Sequence, residues 1–301
     1  MTEFDILVVG EANPDLLLRG DVRPRFGQEE QLLTAADLVL GGSAAITAVG
    51  CATLGLRTAL LAAVGDDFFG ALVRDQLTTA GVRLMPYAAG GVPTGVTVIL
   101  SEPDDRAMLT LPGTIAALRP QDVTDALIQS TRHVHVSALY LQPGLAGGLA
   151  EVFKRARSLG RTTSLDTNWD PSGAWASLDD ILAHTDVFLP NAAELSAVTG
   201  AANPDTAAAQ LVALGTTVVM KDGARGARAW WPDGEAAAPG RPVDVVDTTG
   251  AGDSFNAGFL AGRLGGHDLP ESLRWATVAG SLSTRAAGGT AAQATRADLM
   301  P

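Results

Sequence analysis

The sequence predicts an α/β fold built on a doubly wound, mainly parallel β-sheet that is flanked by helices. Short apolar, β-rich runs alternate with helical stretches along most of the chain, which is the pattern of successive βαβ units. From about Gly252 the chain reads as mostly helical. Two segments interrupt the alternation, and they predict a small β-sheet inserted into a single α/β domain over residues 1–301.

The predicted strands are continuous apolar runs, typical of parallel strands buried on both faces. They are Phe4–Gly10, Thr58–Val64, His133–Tyr140, Thr162–Asp166, Val187–Pro190 and Thr217–Met220. The helical stretches between them are Gly42–Leu54, Gly70–Ala80, Gly144–Leu159, Asp179–His184, Ala192–Thr199 and Asp205–Leu214. A helix between two strands returns the chain, so that the next strand runs parallel to the last.

The interrupting segments cover about residues 12–40 and 86–113. The second contains two alternating runs joined by Pro103, Asp104 and Asp105, which predicts a β-hairpin. Because a small sheet has exposed edges unless they are paired, a homodimer joined through this sheet is a reasonable expectation.

Composition excludes several classes of protein. The 301 residues are 47% hydrophobic and 18% charged, which is ordinary for a globular protein with a sizeable core. The net charge of −12 disfavours binding to nucleic acid or to anionic membranes. An anionic cofactor such as ATP would need a local pocket of backbone N–H groups, a cation, or both.

Cysteine, histidine and the N-terminus predict no special chemistry. Cys51 is the single cysteine, so no intrachain disulfide forms and a buried structural thiol is expected. The four histidines lack zinc-ligand spacing. The N-terminal residues MTEFDILVVG carry acidic rather than basic residues, and no run is long enough to span a membrane. We therefore expect a soluble cytoplasmic protein.

Common nucleotide-binding motifs are absent. The chain has no GxxxxGK[ST], and no GxGxxG follows the first strand, so neither a P-loop nor a dinucleotide-binding site is indicated. The sequence GDDFFG contains no DFG and lacks the other protein-kinase motifs.

The most informative segment is Asp247–Gly262, DTTGAGDSFNAGFLAG. Gly250, Ala251 and Gly252 precede a helical pattern, and the free backbone N–H groups at a helix N-terminus bind anions. Asp253 falls in the first turn, where a carboxylate can take a proton from a hydroxyl while the N–H groups hold a transferring phosphoryl group. The alternative is a capped helix after a tight turn.

This segment resembles the C-terminal signature of the PfkB (ribokinase-like) family of carbohydrate and nucleoside kinases. The early segment Gly41–Gly70 resembles the N-terminal signature of that family. The resemblance implies a ribokinase-like fold with a small β-sheet lid, and transfer of the γ-phosphoryl group of ATP to a hydroxyl group with Mg²⁺. It assigns Asp253 as the catalytic base, and Gly250, Ala251 and Gly252 as the anion hole.

Two further motifs resemble the nucleotide side of these kinases. Asn191 and Glu194 match an N-x-x-E motif that acts on Mg²⁺ and the phosphates, largely through water; the alternative, a helix capping box, is compatible with it. The segment that contains Lys221, Gly223 and Gly226 matches a glycine loop beside the nucleotide; the alternative is a hairpin turn. Thr248 is assigned to the nucleotide as well.

The resemblance also assigns residues to the phosphoryl acceptor. They are Asn13, Asp15, Gly41, Gly42, Arg106, Asp166 and Asn168. For Arg106 the alternative is a solvated charge on the lid. Trp169 and Trp175 are expected to pack. Ile46 stands where relatives with a GGxxxN motif carry Asn, and its apolar side chain favours a nucleoside as an alternative acceptor.

A monovalent cation site is a further implication, with K⁺ held near Asp247, Thr249 and the loop 286–289. The predicted function is an ATP-dependent kinase of a small sugar or sugar-like substrate. The alternatives are a nucleoside kinase, a phosphosugar kinase and, in another class, a sugar sensor without catalytic activity.

Overall fold

The computed structural model describes residues 2–102, 105–175 and 178–300. Within them the strands are β1 Ile6–Val9, β2 Asn13–Gly20, β3 Leu33–Gly41, β4 Thr58–Leu61, β5 Arg83–Leu84, β6 Val96–Ser101, β7 Arg106–Leu111, β8 His133–Val136, β9 Thr162–Leu165, β10 Val187–Phe188, β11 Thr217–Lys221, β12 Ala227–Trp231 and β13 Gly234–Ala238. The helices are α1 Ser43–Thr53, α2 Phe68–Thr79, α3 Asp125–Ser130, α4 Pro143–Ala146, α5 Leu149–Ser158, α6 Asp179–Leu182, α7 Ala192–Thr199, α8 Pro204–Val212, α9 Ala251–Leu264, α10 Leu269–Ser283 and α11 Arg296–Leu299.

The large sheet has the strand order β13-β12-β11-β10-β9-β8-β1-β4-β5. Its pairs are parallel from β11 to β5, and antiparallel between β11 and β12 and between β12 and β13. The predicted doubly wound, mainly parallel sheet is therefore confirmed. Since the parallel strands point the same way, their carboxyl ends meet at one edge of the sheet.

Two hydrophobic clusters cover the two faces of this sheet. Successive residues of β1 alternate between them, with Ile6 and Val8 in one cluster and Leu7 and Val9 in the other. Side chains of α1, α2, α9 and α10 fill the first cluster, and those of α3, α5, α7 and α8 belong to the second. This alternation is what a strand buried on both faces requires.

The second sheet, with the order β3-β2-β6-β7, comes from the two segments that interrupt the alternation. Strands β2 and β3 are antiparallel, β6 and β7 form the predicted antiparallel hairpin, and β2 and β6 are parallel. Two residues of the predicted hairpin turn, Pro103 and Asp104, lie outside the described residues. This sheet is consistent with the expected lid, and we use that name for it.

Some elements differ from the sequence prediction. The stretch Gly144–Leu159 forms two helices, α4 and α5, because two glycines separate them and the chain at Gly148 passes close to Pro120: a Cβ at this glycine would lie 2.5 Å from the Pro120 side chain. The run His133–Tyr140 leaves the sheet after Val136 because Ala138 adopts a left-handed conformation. Strands β5 and β13 were not predicted.

The buried cysteine and histidines have structural surroundings, as predicted. Burial raises the pKa of Cys51 to about 12. His133 and His135 are buried on one face of β8, and both hydrogen-bond Ser164 Oγ at 2.7 Å. In the described part of the chain, no three His, Cys, Asp or Glu residues group into a metal site. No described helix has the length and apolarity that a membrane crossing requires.

Candidate active site

Helix α9 begins at the carboxyl edge of the large sheet, and Gly250 is its N-cap, with φ of 71°. A Cβ at Gly250 would lie 2.6 Å from Gly289 Cα, so both the backbone conformation and the close approach require glycine. The turn is closed by Ala251 N–H, which donates to Thr248 O at 3.3 Å. The next N–H groups of the helix point out of its first turn, as an anion site requires.

Asp253 lies in this first turn and is 8% exposed. Burial raises its pKa well above the ordinary value, and the charges of Asp166 and Glu11 act in the same direction. The charge of Lys221 and a hydrogen bond from Ser43 oppose this shift. Once ionised, such a carboxylate is a stronger base than an exposed aspartate, which suits proton abstraction from a hydroxyl group.

The side chains that support Asp253 from the other end of the chain were not predicted. Ser43 is the first residue of α1, and its N–H donates to Glu11 Oε1 at 2.6 Å. Glu11 is 3% exposed, and burial raises its pKa to about 7. The only local signal is position, because Glu11 lies two residues after the end of β1 and Ser43 follows the glycine pair 41–42.

The lid contributes a second cluster, at the start of β2. Asn13 Nδ2 donates to Asp15 Oδ1 at 2.9 Å, and Asn13 pairs with Gly41 across the sheet. Both side chains are buried, and burial raises the pKa of Asp15 to about 7. A Cβ at Gly41 would lie 2.0 Å from the Asp15 carboxyl carbon, and one at Gly42 would lie 2.8 Å from Glu11 O. The predicted residues Asn13, Asp15, Gly41 and Gly42 are thus brought together.

Asp166, at the end of β9, is 1% exposed, and both its oxygens accept hydrogen bonds. Oδ2 accepts from Lys221 Nζ at 2.6 Å and from Asn256 Nδ2 at 2.5 Å, and Oδ1 accepts from Asn168 N at 3.1 Å. Burial opposes its charge, but the charge of Lys221 and the hydrogen bonds from Lys221, Asn256 and Asn168 N together outweigh burial, and the pKa of Asp166 is lowered. Asn168 Nδ2 donates to Ser43 Oγ, which links this group to Asp253.

Asn191 and Glu194 form a capping box at the start of α7. Glu194 N donates to Asn191 Oδ1 at 2.9 Å, and Asn191 N donates to Glu194 Oε2 at 2.8 Å. Burial and the charge of Asp166 raise the pKa of Glu194. Carboxylate and amide oxygens are hard donors that suit Mg²⁺. Asn191 Oδ1 and Glu194 Oε2 already accept the hydrogen bonds that cap α7. The pair therefore fits contact with Mg²⁺ through water molecules.

A cavity of about 540 Å³ opens beside the N-terminus of α9. Its lining includes three residues that the resemblance assigns to the nucleotide, Gly223, Gly226 and Thr248, and apolar residues such as Val243 and Phe255. Gly226 has φ of 102°, and a Cβ there would lie 2.1 Å from Ala238 O, so this glycine is required by the neighbouring chain. The cavity is large enough for a nucleotide, and it reaches Ala251 and Gly252 at the start of α9.

The residues implied for K⁺ are already engaged. Asp247 accepts from Thr249 N at 2.9 Å, from Thr249 Oγ1 at 2.8 Å and from Gly288 N at 2.8 Å. Arg106 Nη1, from the lid, donates to Thr249 Oγ1 at 3.0 Å. A guanidinium charge therefore lies beside these oxygen donors, and these side chains do not fit a monovalent cation in this conformation.

Three apolar residues near the site have different surroundings. Ile46 is 3% exposed, and its side chain packs against Gly250 and Gly289, so its apolar character suits the packing of the turn before α9. Trp175 stacks edge-on against Tyr140 and Trp169, as expected for packing residues. Trp169 is nevertheless 59% exposed.

Comparisons with known proteins find relatives along nearly the whole chain. The model of the pfkB family of carbohydrate kinases matches residues 3–296. The chain is 30% identical to an ATP-dependent ribose-1-phosphate kinase of Halopiger xanaduensis, over 95% of the chain and 94% of the relative. It is 33% identical to acarbose 7(IV)-phosphotransferase of an Actinoplanes species, over 92% and 91%. Ribokinase of Arabidopsis thaliana, solved with ribose and ATP, matches with a TM-score of 0.83 and 24% identity, over 99% and 98%.

Proposed function

The chain belongs to the pfkB family of carbohydrate kinases, and on this premise we propose that it transfers the γ-phosphoryl group of ATP to a hydroxyl group of a sugar or sugar-like small molecule. The observation that carries the proposal is the position of Asp253, buried in the first turn of α9 directly after the anion-site residues Gly250, Ala251 and Gly252. A base beside an anion hole serves group transfer, whereas a sugar sensor has no need of it.

In the proposed reaction Asp253 takes the proton of the attacking hydroxyl group. The acceptor oxygen forms a bond to the γ-phosphorus, the bond from that phosphorus to the β,γ-bridging oxygen breaks, and ADP leaves. The backbone N–H groups at the start of α9 hold the charge of the moving phosphoryl group. Hydrogen bonding by Ser43 orients the Asp253 carboxyl group.

The nucleotide is assigned to the cavity that Gly223, Gly226 and Thr248 line, with its phosphates toward Gly252. When bound, Mg²⁺ would neutralise phosphate charge, and Asn191 and Glu194 would hold it through water. We leave K⁺ out of the proposed reaction because the Arg106 guanidinium bonds Thr249. Equal rates of ADP release in potassium chloride and in choline chloride would agree with a reaction that does not use K⁺.

The acceptor is assigned to the lid side of the site. Asn13 and Asp15 offer hydrogen-bonding groups suited to sugar hydroxyls, and the glycines at 41 and 42 allow the acceptor to approach the backbone. The named relatives act on ribose 1-phosphate and on acarbose, so the acceptors within this family differ widely. The residues that contact Asp253 are the same whichever acceptor the protein uses.

ADP release from MgATP across an acceptor panel tests the proposal. The panel contains ribose, ribose 1-phosphate, fructose, 2-keto-3-deoxygluconate, tagatose 6-phosphate, acarbose and common nucleosides. With the accepted substrate, Asp253→Asn is expected to lower kcat by about 10²–10⁴-fold while ATP binding by calorimetry persists. Asp233→Asn removes an exposed aspartate and serves as the charge-matched control.

Each class of outcome has a separate meaning. Phosphorylation of a nucleoside alone would replace the sugar with a nucleoside acceptor, and phosphorylation of a phosphosugar alone would favour that class. ATP binding without any ADP release across the panel would contradict the kinase proposal and favour the sensor. Full activity in Asp253→Asn would contradict the assignment of the base.

A further inference from the structure

Lys221 ends β11 with a side chain that is 13% exposed. Its Nζ donates to Asp166 Oδ2 at 2.6 Å and to Asn256 Oδ1 at 3.4 Å. Asn256 in turn donates to the same Asp166 oxygen. Three parts of the fold thus meet at this ammonium group: Asp166 directly follows β9, the lysine ends β11, and the amide lies in the second turn of α9.

The ammonium group lies beside Gly252, one of the residues of the proposed anion hole. A Cβ added at Gly252 would lie 3.6 Å from Nζ, which is ordinary van der Waals contact. Asp253 and Asn256 are three residues apart on α9, so their side chains share a face of the helix. The amide that holds Lys221 and the carboxyl group of the base therefore point toward the same space.

Lys221 remains charged in this position. Burial opposes its charge, but the carboxylates of Asp166, Glu194 and Asp253 outweigh burial, and its pKa is raised. The chain has one other lysine, Lys154, which lies on α5 with an exposed side chain. The protein as a whole is acidic, with a net charge of −12. The buried ammonium group of Lys221 therefore supplies positive charge beside the proposed anion hole that the rest of the protein does not supply.

We propose that Lys221 is a catalytic residue whose ammonium group binds the transferring phosphoryl group, and that Asp166 and Asn256 are positioning residues that hold it beside Gly252. The proposal rests on the phosphoryl transfer proposed above. No covalent step involves the lysine: it adds a hydrogen bond and a positive charge to the phosphoryl oxygens as the bond to the leaving group breaks. Asp166 then acts through Lys221, because its Oδ2 accepts from Lys221 Nζ and from Asn256 Nδ2 while Oδ1 accepts from Asn168 N.

The competing explanation is that Lys221 only neutralises Asp166 in the folded protein. Breaking a buried ion pair by removing one partner is strongly destabilising, whereas removing both charges is often tolerated. The test therefore uses Lys221→Met, Lys221→Arg and the double variant Lys221→Met with Asp166→Asn. Lys154→Met is the matched control, since it removes the exposed lysine.

Steady-state kinetics with the accepted substrate, thermal unfolding and ATP calorimetry are measured on each variant. We expect Lys221→Met to lower kcat by about 10²–10³-fold, as for the loss of one donor to a transition-state anion, with a smaller change in the KM of the acceptor. Lys221→Arg should recover part of kcat because the charge is restored. The double variant should recover thermal stability without recovering kcat.

A double variant with wild-type kcat would overturn the proposal and leave Lys221 a structural role, as would a folded Lys221→Met variant with unchanged kcat. The proposed function itself fails in a different way, namely when the wild-type protein phosphorylates no acceptor. If the wild-type protein phosphorylates its acceptor and folded Lys221→Met does so with the same kcat, the proposed function stands and the role proposed for Lys221 is refuted.

Discussion

A methyl group added at Gly41 would test whether Asp15 binds the acceptor. In Gly41→Ala, the new Cβ would stand 2.0 Å from the carboxyl carbon of Asp15 and 2.1 Å from Oδ1. Cβ atoms in proteins essentially never approach other atoms more closely than 3.0 Å, so the carboxyl group must move by about 1 Å. A displacement of that size at a substrate-positioning group can cost about 10²-fold in rate, or about 2.7 kcal/mol.

We therefore expect kcat/KM for the acceptor to fall by about 10²-fold in Gly41→Ala, while the KM of ATP is unchanged because the nucleotide cavity is lined by other residues. Initial rates with each substrate varied in turn measure both constants. Gly147→Ala is the control, since no atom lies within 4 Å of a Cβ there and φ is −62°. Thermal unfolding of both variants reports on folding. Unchanged acceptor kinetics in a folded Gly41→Ala protein would refute the assignment of Asp15.

Two other predictions concern stability and assembly. Burial lowers the pKa of His135 to about 4 and raises that of Glu11 and Asp15 to about 7, so between pH 5 and 6 the unfolded chain binds the histidine proton and the folded chain binds the carboxyl protons. Histidine and carboxyl contributions to the pH dependence then have opposite sign. As the pH rises from 5 to 6, the free energy of unfolding of His135→Asn should fall, relative to that of the wild type, by about 1.2 kcal/mol. Urea unfolding at pH 5 and 6 measures this, and an unchanged slope would contradict it. Strand β7 is an edge strand of the lid and carries the exposed side chain of Leu109. We therefore expect a homodimer joined through the lid, which Leu109→Glu converts to a monomer. Sedimentation measures this, and a wild-type protein that is monomeric at micromolar concentration would contradict it.

The order of elements could be predicted because it depends on local composition. Buried parallel strands are short apolar runs, and the segment around Asp253 carries its turn, helix start and carboxylate within a few consecutive residues. The hairpin β6–β7 was likewise predicted from alternation and turn residues. Strand ends were less predictable, since Ala138 leaves the sheet through a left-handed conformation that its sequence does not indicate.

The contacts that complete the site could not be predicted, because they join residues far apart in the chain. Glu11 accepts from Ser43 N, 32 positions away, and Asn256 donates to Asp166, 90 positions away. Each of these residues has an ordinary local environment in the sequence, and only the meeting of strand ends at one edge of the sheet gives it a partner. The same holds for Ile46, whose side chain packs against Gly250 and Gly289 at the start of α9.

The charges around Asp253 explain why those distant contacts matter to the proposed chemistry. A general base has to lose its own proton before it can accept another, yet burial and the charges of Asp166 and Glu11 raise the pKa of Asp253 and favour its neutral form. Two groups oppose this, the Ser43 hydrogen bond and the ammonium charge of Lys221. Burial makes the carboxylate, once it is ionised, a stronger base than an exposed aspartate would be. The Ser43 hydrogen bond and the Lys221 charge act in the other direction, since both favour the ionised form that can accept a proton.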